Sequence, residues 1–218
     1  MKTAILLGAT GLTGGILLQK LLNDARYEKI ILFSRSSAAV KNRKVEEHLV
    51  DLFKLENQKD LFKADVVYCC IGTTKSKTPN EEVYKKIDYG IPVAAAKLAR
   101  ENGIEKFLVI SALGADPKSK MFYNKTKGEM EQEVLAQRIP ETYIFEPSLI
   151  AGDREETRTF ENLAIYAMKV LNYALIGPLK KYRSIDPETI AEAMIKVANN
   201  GYVNKVIPSN EIQEIAAS

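Results

Sequence analysis

The feature that most limits what this chain can become lies within its first fifteen residues. Thr3 to Leu7 is a short apolar run. It enters Gly8-Ala9-Thr10-Gly11-Leu12-Thr13-Gly14, and from Thr13 to Asn23 the residues Ile16, Leu17, Leu21 and Leu22 recur at helical spacing. A strand that passes into a helix through glycines spaced by three needs its backbone to approach something closely. A plain turn that uses glycine only for its own geometry is one reading. The sharper one is a dinucleotide-binding turn: the glycines admit a pyrophosphate, and the helix N-terminus offers free N–H groups and partial positive charge. The strand before and the helix after are the context that this motif demands.

The remaining pattern predicts what carries the turn. Lys29 to Phe33 is a β-branched run, Val45 to Val50 a weaker strand candidate and Ala64 to Ile71 a strong one. Glu81 to Asn102 reads as one long helix, kinked or restarted at Pro92 and closed by Asn102-Gly103. Lys106 to Ile110 is strand, Lys120 to Gln137 helix, and Thr142 to Phe145 strand, ended by Pro147. Apolar strands without alternation, separated by helices, predict an α/β fold with a doubly wound parallel sheet. After Pro147 the rhythm loosens. Phe160 to Leu171 and Pro187 to Asn199 read as helices, and Tyr202 to Ile207 as a last strand. About 70 residues follow Pro147, too few for a second domain. The expectation is a single dinucleotide-binding domain over 1–218, in which 151–218 forms a small appendage on the substrate side.

Composition removes several classes of function. The chain has 218 residues, 46% of them apolar, which is globular usage. Its 31 basic and 28 acidic residues leave a net charge of +3, too small to imply a nucleic-acid or membrane-surface partner. The two cysteines, Cys69 and Cys70, are neighbours in a strand and point to opposite faces, so they do not bridge. With these and the single histidine, His48, neither a metal cluster nor a Ser-His-Asp triad can be assembled. The apolar run Ala4 to Leu7 is too short for a signal peptide, and no run is long enough to span a membrane. These features together predict a cytoplasmic protein.

The end of the second strand bears on the cofactor. An NAD site usually carries an acid about 20 residues after the glycine turn, to bind the ribose 2′-hydroxyl. Here the stretch is Leu32-Phe33-Ser34-Arg35-Ser36-Ser37, with no acid. A guanidinium suits a phosphate, so Arg35 predicts NADP(H) over NAD. Nearby Lys41, Arg43 and Lys44 read as a solvated basic face.

Tyr123 and Lys127 stand four apart on a predicted helix and share a face. With ten tyrosines such a pair arises readily by chance, so its placement carries the weight. The helix follows the strand that ends at Ser111. Carbonyl reduction needs a hydride and a proton for the developing alkoxide. A tyrosine supplies that proton if a neighbouring ammonium lowers its pKa, and a serine hydroxyl orients the substrate oxygen. The predicted catalytic set is therefore Ser111, Tyr123 and Lys127.

The glycine spacing, this serine–tyrosine–lysine order, Cys69-Cys70-Ile71-Gly72-Thr73-Thr74, Ser111-Ala112-Leu113-Gly114-Ala115-Asp116 and Tyr123-Asn124-Lys125-Thr126-Lys127-Gly128-Glu129 together resemble the atypical short-chain dehydrogenases/reductases, in particular the Tat-interacting-protein-like family. The resemblance runs from Met1 to about Arg158 and implies a Rossmann fold. It implies that Gly8, Thr10, Gly11, Leu12 and Thr13 line the pyrophosphate. Arg35 would meet the 2′-phosphate, and Asp51 and Leu52 the adenine. Cys70, Ile71, Gly72 and Thr73 would pass beneath the cofactor. Lys127 would also hold the nicotinamide ribose, and Pro147, Ser148, Leu149 and Ile150 would border the nicotinamide. Two positions depart from the pattern. Glu146 stands where the superfamily often has arginine, and Asp88 lies where members with a full catalytic tetrad have asparagine. His48 reads as a surface or edge residue.

The expected function is an NADP(H)-dependent oxidoreductase acting on a small carbonyl or alcohol. The resemblance also keeps open an NADPH-sensing regulatory protein without turnover, with a protein partner or a second copy of the chain. A nucleotide-sugar epimerase or dehydratase is disfavoured by the short C-terminal stretch. The substrate pocket is assigned to Leu113 to Met121 and Ala151 to Arg183, with Tyr166, Tyr173 and Tyr182 as candidate lining and Gly152 and Gly177 as candidate hinges of a lid.

Overall fold

The computed structural model describes residues 1–151 and 182–218. The chain opens with β1 (Lys2–Leu7), α1 (Leu12–Asn23), β2 (Tyr27–Ser34) and β3 (Val45–Leu49). After a 3₁₀ segment over Leu52–Gln58 come β4 (Val66–Cys69), α2 (Glu81–Lys85), a π turn over Lys86–Gly90 and α3 (Ile91–Glu101). Then follow β5 (Lys106–Ile110), α4 (Phe122–Ala136), β6 (Glu141–Glu146), α5 (Pro187–Asn200), β7 (Val206–Pro208) and α6 (Ser209–Ala217). The strands form one parallel sheet in the order β3-β2-β1-β4-β5-β6-β7. This is a doubly wound Rossmann-type sheet.

The central strands are buried on both faces, which is why they carry no polar alternation. Along β1, Ala4 and Leu6 join a core completed by α1 and α5, while Ile5 and Leu7 join one completed by α3 and α4. Cys69 and Cys70 divide between these two cores as their adjacency predicts. Strand order reverses between β1 and β4, and the crevice beyond their carboxyl ends is where such sheets bind ligands.

The long helix expected over Glu81 to Asn102 is three segments. Pro92 falls in the first turn of α3, where its missing N–H costs nothing, and the π turn absorbs the restart. Gly103, with φ +69, follows the helix end as expected. The last strand is shorter than its pattern. Tyr202 lies outside it, donating its hydroxyl to Glu211 Oε2 at 3.0 Å. The 3₁₀ segment and α6 escape the sequence pattern because each is short and buries only two residues. The helix expected over Phe160 to Leu171 lies outside the described residues. Among the described residues no helix is long and apolar enough to cross a membrane.

The glycine turn is built by close backbone contact. The Gly11 N–H donates to Gly8 O at 3.0 Å. A Cβ on Gly14 would lie 2.1 Å from Gly8 O. One on Gly8, at φ +88, would lie 2.6 Å from Cys70 O. The turn's own packing therefore accounts for these two glycines. Gly14→Ala should cost about 3 kcal/mol or more in urea unfolding, because α1 must separate from the turn. Gly15→Ala, whose Cβ would sit 3.3 Å from Ala9 O, should cost far less. Equal midpoints for the two variants would refute this packing argument.

Candidate active site

The carboxyl ends of β1, β4, β5 and β6 converge on the crevice. Thr10, Gly11 and Leu12 of the glycine turn are open to solvent, while Thr13 is buried in the first turn of α1. No side chain caps that helix, so its leading N–H groups have no intramolecular partner from a cap. Arg35 is exposed just beyond β2. Its loop is held by Glu47 of β3, which accepts from Ser37 Oγ at 2.6 Å and Ala38 N at 2.7 Å. Lys44, expected on a solvated face, instead donates to Leu22 O and Asp24 O at the end of α1. Lys41 and Arg43 are exposed.

The next strand ends carry the remaining cofactor candidates. Asp51 caps the 3₁₀ segment by accepting from Phe53 N at 3.0 Å, and the Leu52 side chain is buried in the core. Only the Leu52 backbone is thereby left for a ligand. Beyond β4 the Cys70, Ile71, Gly72 and Thr73 segment crosses the crevice. Burial pushes the Cys69 thiol up to about 11 and the Cys70 thiol well above its ordinary value, so both are inert walls. Pro147, Ser148, Leu149 and Ile150 are tied to the chain after 181. Ile185 N donates to Leu149 O at 3.0 Å, Ala151 N to Ile185 O at 2.9 Å, and Ser148 Oγ to Arg183 O. His48 sits on the edge strand β3, against Glu46 at 2.8 Å and stacked on Phe33.

Lys127 is the centre of the predicted catalytic set. It is 3% exposed, with Nζ 2.9 Å from Asp88 Oδ1 and 3.5 Å from Ile110 O. Asp88 is wholly buried, projects from the π turn and accepts from Thr73 N at 2.8 Å. The Oδ1 contact has ion-pair distance without hydrogen-bond geometry, so charge attraction dominates it. Burial works against the ammonium, but Asp88 and the Tyr123 hydroxyl outweigh it and raise the Lys127 pKa. Tyr123 is 41% exposed at the start of α4, with its ring edge-on to Tyr84. The Tyr84 hydroxyl in turn holds Thr73 O at 3.2 Å. Thus Asp88, the departure noted in the sequence, is the counter-ion of Lys127.

Ser111 differs from expectation. It is 4% exposed at the end of β5, and its hydroxyl donates to Glu131 Oε1 in a short hydrogen bond. Its proton is committed to a carboxylate, not held ready for a substrate oxygen. Burial pushes the Glu131 carboxyl up to about 7; hydrogen bonding to Ser111 opposes this, and the neighbouring Glu146 adds to it. Sequence reading passed over Glu131. Its signal was present, because Tyr123, Lys127 and Glu131 recur every four residues along one face of α4. Tyr182 is half exposed. Tyr166, Tyr173, Gly152 and Gly177 lie outside the described residues. Among the described residues no group of three or more His, Cys, Asp or Glu side chains is placed to hold a metal ion.

The glycine turn and the strand ends behind it also match a known family pattern: the model for NAD(P)H-binding proteins fits residues 8–165. The chain belongs to this NAD(P)H-binding family. Its relatives include the mitochondrial protein FMP52 of Meyerozyma guilliermondii, 36% identical over 203 residues, or 89% of this chain and 84% of that protein. The rat protein HTATIP2 is 32% identical over 75% of this chain and 69% of its own. The atypical short-chain dehydrogenase branch that the motifs resemble is therefore the correct one. Among solved structures, the Helicobacter pylori ADP-L-glycero-D-manno-heptose-6-epimerase superposes with a TM-score of 0.68 at 16% identity, over 99% of this chain and 81% of that one. The L-threonine 3-dehydrogenase of Trypanosoma brucei gives 0.70 at 15% identity, over 95% and 74%. At such identities these two establish the fold alone.

The relatives correct one expectation. FMP52 proteins of Meyerozyma guilliermondii, Debaryomyces hansenii and Candida albicans are named as mitochondrial, which overturns the cytoplasmic assignment. That assignment rested on unbridged cysteines and the lack of a long apolar run. Neither feature distinguishes one reducing compartment from another.

The ion pair makes a direct prediction. Asp88→Leu leaves a buried ammonium unmatched and should cost about 3 to 5 kcal/mol of stability. Adding Lys127→Met should restore most of that loss. Chemical unfolding of the two single variants and the double variant gives the coupling, and additive losses would disprove it.

Proposed function

We propose that the protein is an NADP(H)-dependent oxidoreductase acting on a small carbonyl or alcohol, with Tyr123 as the proton donor, Lys127 behind it and Ser111 as the substrate-orienting hydroxyl. The observation that carries this reading is the pairing of an accessible phenol with a buried, charged lysine on one face of α4. The exposed glycine turn, the uncapped start of α1 and the exposed Arg35 suit the pyrophosphate and the 2′-phosphate of such a nucleotide. When bound, the nucleotide would supply or accept the hydride.

The chain's own residues then have separate tasks. Lys127, kept charged by Asp88, favours the phenolate form of Tyr123 and so eases release of its proton to a developing alkoxide. Its remaining donor capacity is available to the nicotinamide ribose. Thr73 and Asp88 fix the chain below that ribose through one backbone hydrogen bond. Cys70, Ile71 and Gly72 form a redox-inert floor. The Ser148 and Ile150 contacts to the chain after 181 hold the nicotinamide end of the crevice.

One observation favours the other reading, an NADPH-sensing protein that meets a protein partner or a second copy of itself without turnover. The Ser111 hydrogen is given to Glu131, so a carbonyl oxygen would find no donor there.

Calorimetric titration should give tighter binding of NADPH than NADH, and Arg35→Asp should weaken NADPH binding while sparing NADH. Equal affinities in the wild type would remove the cofactor preference. Tyr123→Phe should keep the fold and NADPH binding but lower reduction of small aldehydes, ketones or quinones by about 10²-fold or more, followed by NADPH absorbance. Wild-type turnover in that variant would sink the assignment. No turnover on any carbonyl, with NADPH bound, would favour the sensor.

A further inference from the structure

Three groups meet where β5 and β6 end under α4. Ser111 closes β5, Glu146 closes β6, and Glu131 comes down from the helix between them. Glu131 is only 9% exposed and receives the Ser111 hydroxyl hydrogen on Oε1. Burial, with the neighbouring Glu146 carboxyl adding to it, pushes its pKa up to about 7. An ionised carboxylate only accepts hydrogen bonds, whereas a protonated one also donates. The elements packed most closely on α4 are the π turn, α3 and β6. The π turn presents Asp88, which is spent on Lys127, and the buried face of α3 is wholly apolar. Besides Glu146, the other charged group acting on Glu131 among the described residues is Lys127, one turn away on its own helix.

Resting on the oxidoreductase reading above, we propose that Glu131 is a positioning residue: whether its carboxyl carries a proton decides whether the Ser111 hydroxyl accepts or donates toward the substrate oxygen. When Glu131 is ionised, Oε1 takes the Ser111 hydrogen, and Ser111 can only accept, as from an alcohol. When Glu131 is protonated it can donate to Ser111 Oγ, and the hydroxyl hydrogen is released and points at a carbonyl oxygen. An ionised Glu131 forbids the second arrangement. The Glu131 proton is not consumed; the one delivered to the alkoxide still comes from Tyr123. Carbonyl reduction therefore needs Glu131 protonated, whereas alcohol binding does not. The buried, raised carboxyl puts this change near neutral pH.

The test has one arm that needs no substrate. The full chain is labelled with ¹³C at the glutamate side-chain carboxyl carbon and titrated by NMR, with and without NADPH. One glutamate should titrate near pH 7, vanish in Glu131→Gln and move toward the ordinary carboxylate range in Glu146→Gln. In Ser111→Ala its midpoint should rise further, because the hydroxyl that favours the ionised form is gone. A Glu131 midpoint near the ordinary value of about 4.3, or one indifferent to Ser111→Ala, overturns the proposal whatever the protein catalyses. The kinetic arm uses NADPH and 9,10-phenanthrenequinone. Wild-type kcat should fall about tenfold per pH unit above the NMR midpoint. Glu131→Gln, whose amide donates to Ser111 at every pH, should keep the low-pH rate and lose that fall. Quinone turnover whose pH profile ignores Glu131→Gln overturns the proposal and leaves the oxidoreductase reading standing. An absence of turnover in every variant tells against that reading alone, and the Ser111→Ala shift then decides the coupling.

Discussion

Lys127 carries its charge where almost no water reaches it, and much of the crevice is arranged around keeping it there. An isolated ammonium at that depth would lose its proton or destabilise the fold. Asp88 prevents both, and it can do so only because the π turn sets it against the middle of α4. The same carboxylate takes the Thr73 N–H, so one buried charge ties α4, the π turn and the segment after β4 together. Gly72 belongs to this arrangement, since its missing side chain leaves the approach to Asp88 and Lys127 clear.

The pair also sets the electrostatic character of the site. Matched to Asp88, Lys127 presents little net charge at a distance but a directed ammonium at close range. Its influence on Tyr123 is therefore local. Glu131, one turn further along α4, has its pKa lowered by Lys127 but is dominated by its own burial. One helix face thus holds a phenol, an ammonium and a protonatable carboxyl in sequence, each in a different environment. Environments that push neighbouring titratable groups apart are how a single fold holds acids and bases in different states at one pH.

What could be read in the sequence follows the range of the interactions involved. The glycine turn, β1, β4 and β5, and the Tyr123–Lys127 pair are local patterns, and they appear in the structure close to their expected limits. The sheet type was legible because burial on both faces erases polar alternation. The three-part character of Glu81 to Glu101 was not, since a π turn differs from an α turn by one hydrogen-bond register and leaves no mark in apolar spacing. The Ser111–Glu131 and Glu131–Glu146 contacts join residues 20 and 15 apart along the chain, brought together only when β5, α4 and β6 stack. Glu146 could be recognised as unusual, but its meaning depended on a neighbour that periodicity alone did not single out.

The likeness to an epimerase and to a dehydrogenase shows how little the sheet itself decides. A doubly wound fold presents strand ends to a nucleotide, and the chemistry is set by the side chains that those ends carry. On the oxidoreductase reading proposed above, the ends of β4, β5 and α4 carry the pieces of a hydride-transfer site, yet the end of β6 brings a carboxyl near another carboxyl. A site selected only to bind a nucleotide gains nothing from that pairing, because a buried carboxyl with a raised pKa costs stability as pH rises. The sign follows from the raised Glu131 value: the contribution is complete below the ordinary carboxylate pKa of about 4.3, falls as pH rises and is lost by about 7. On the same oxidoreductase reading, Ser111 gives that cost a use, since a serine whose hydrogen can be turned toward or away from the crevice is what a carbonyl or an alcohol would sense.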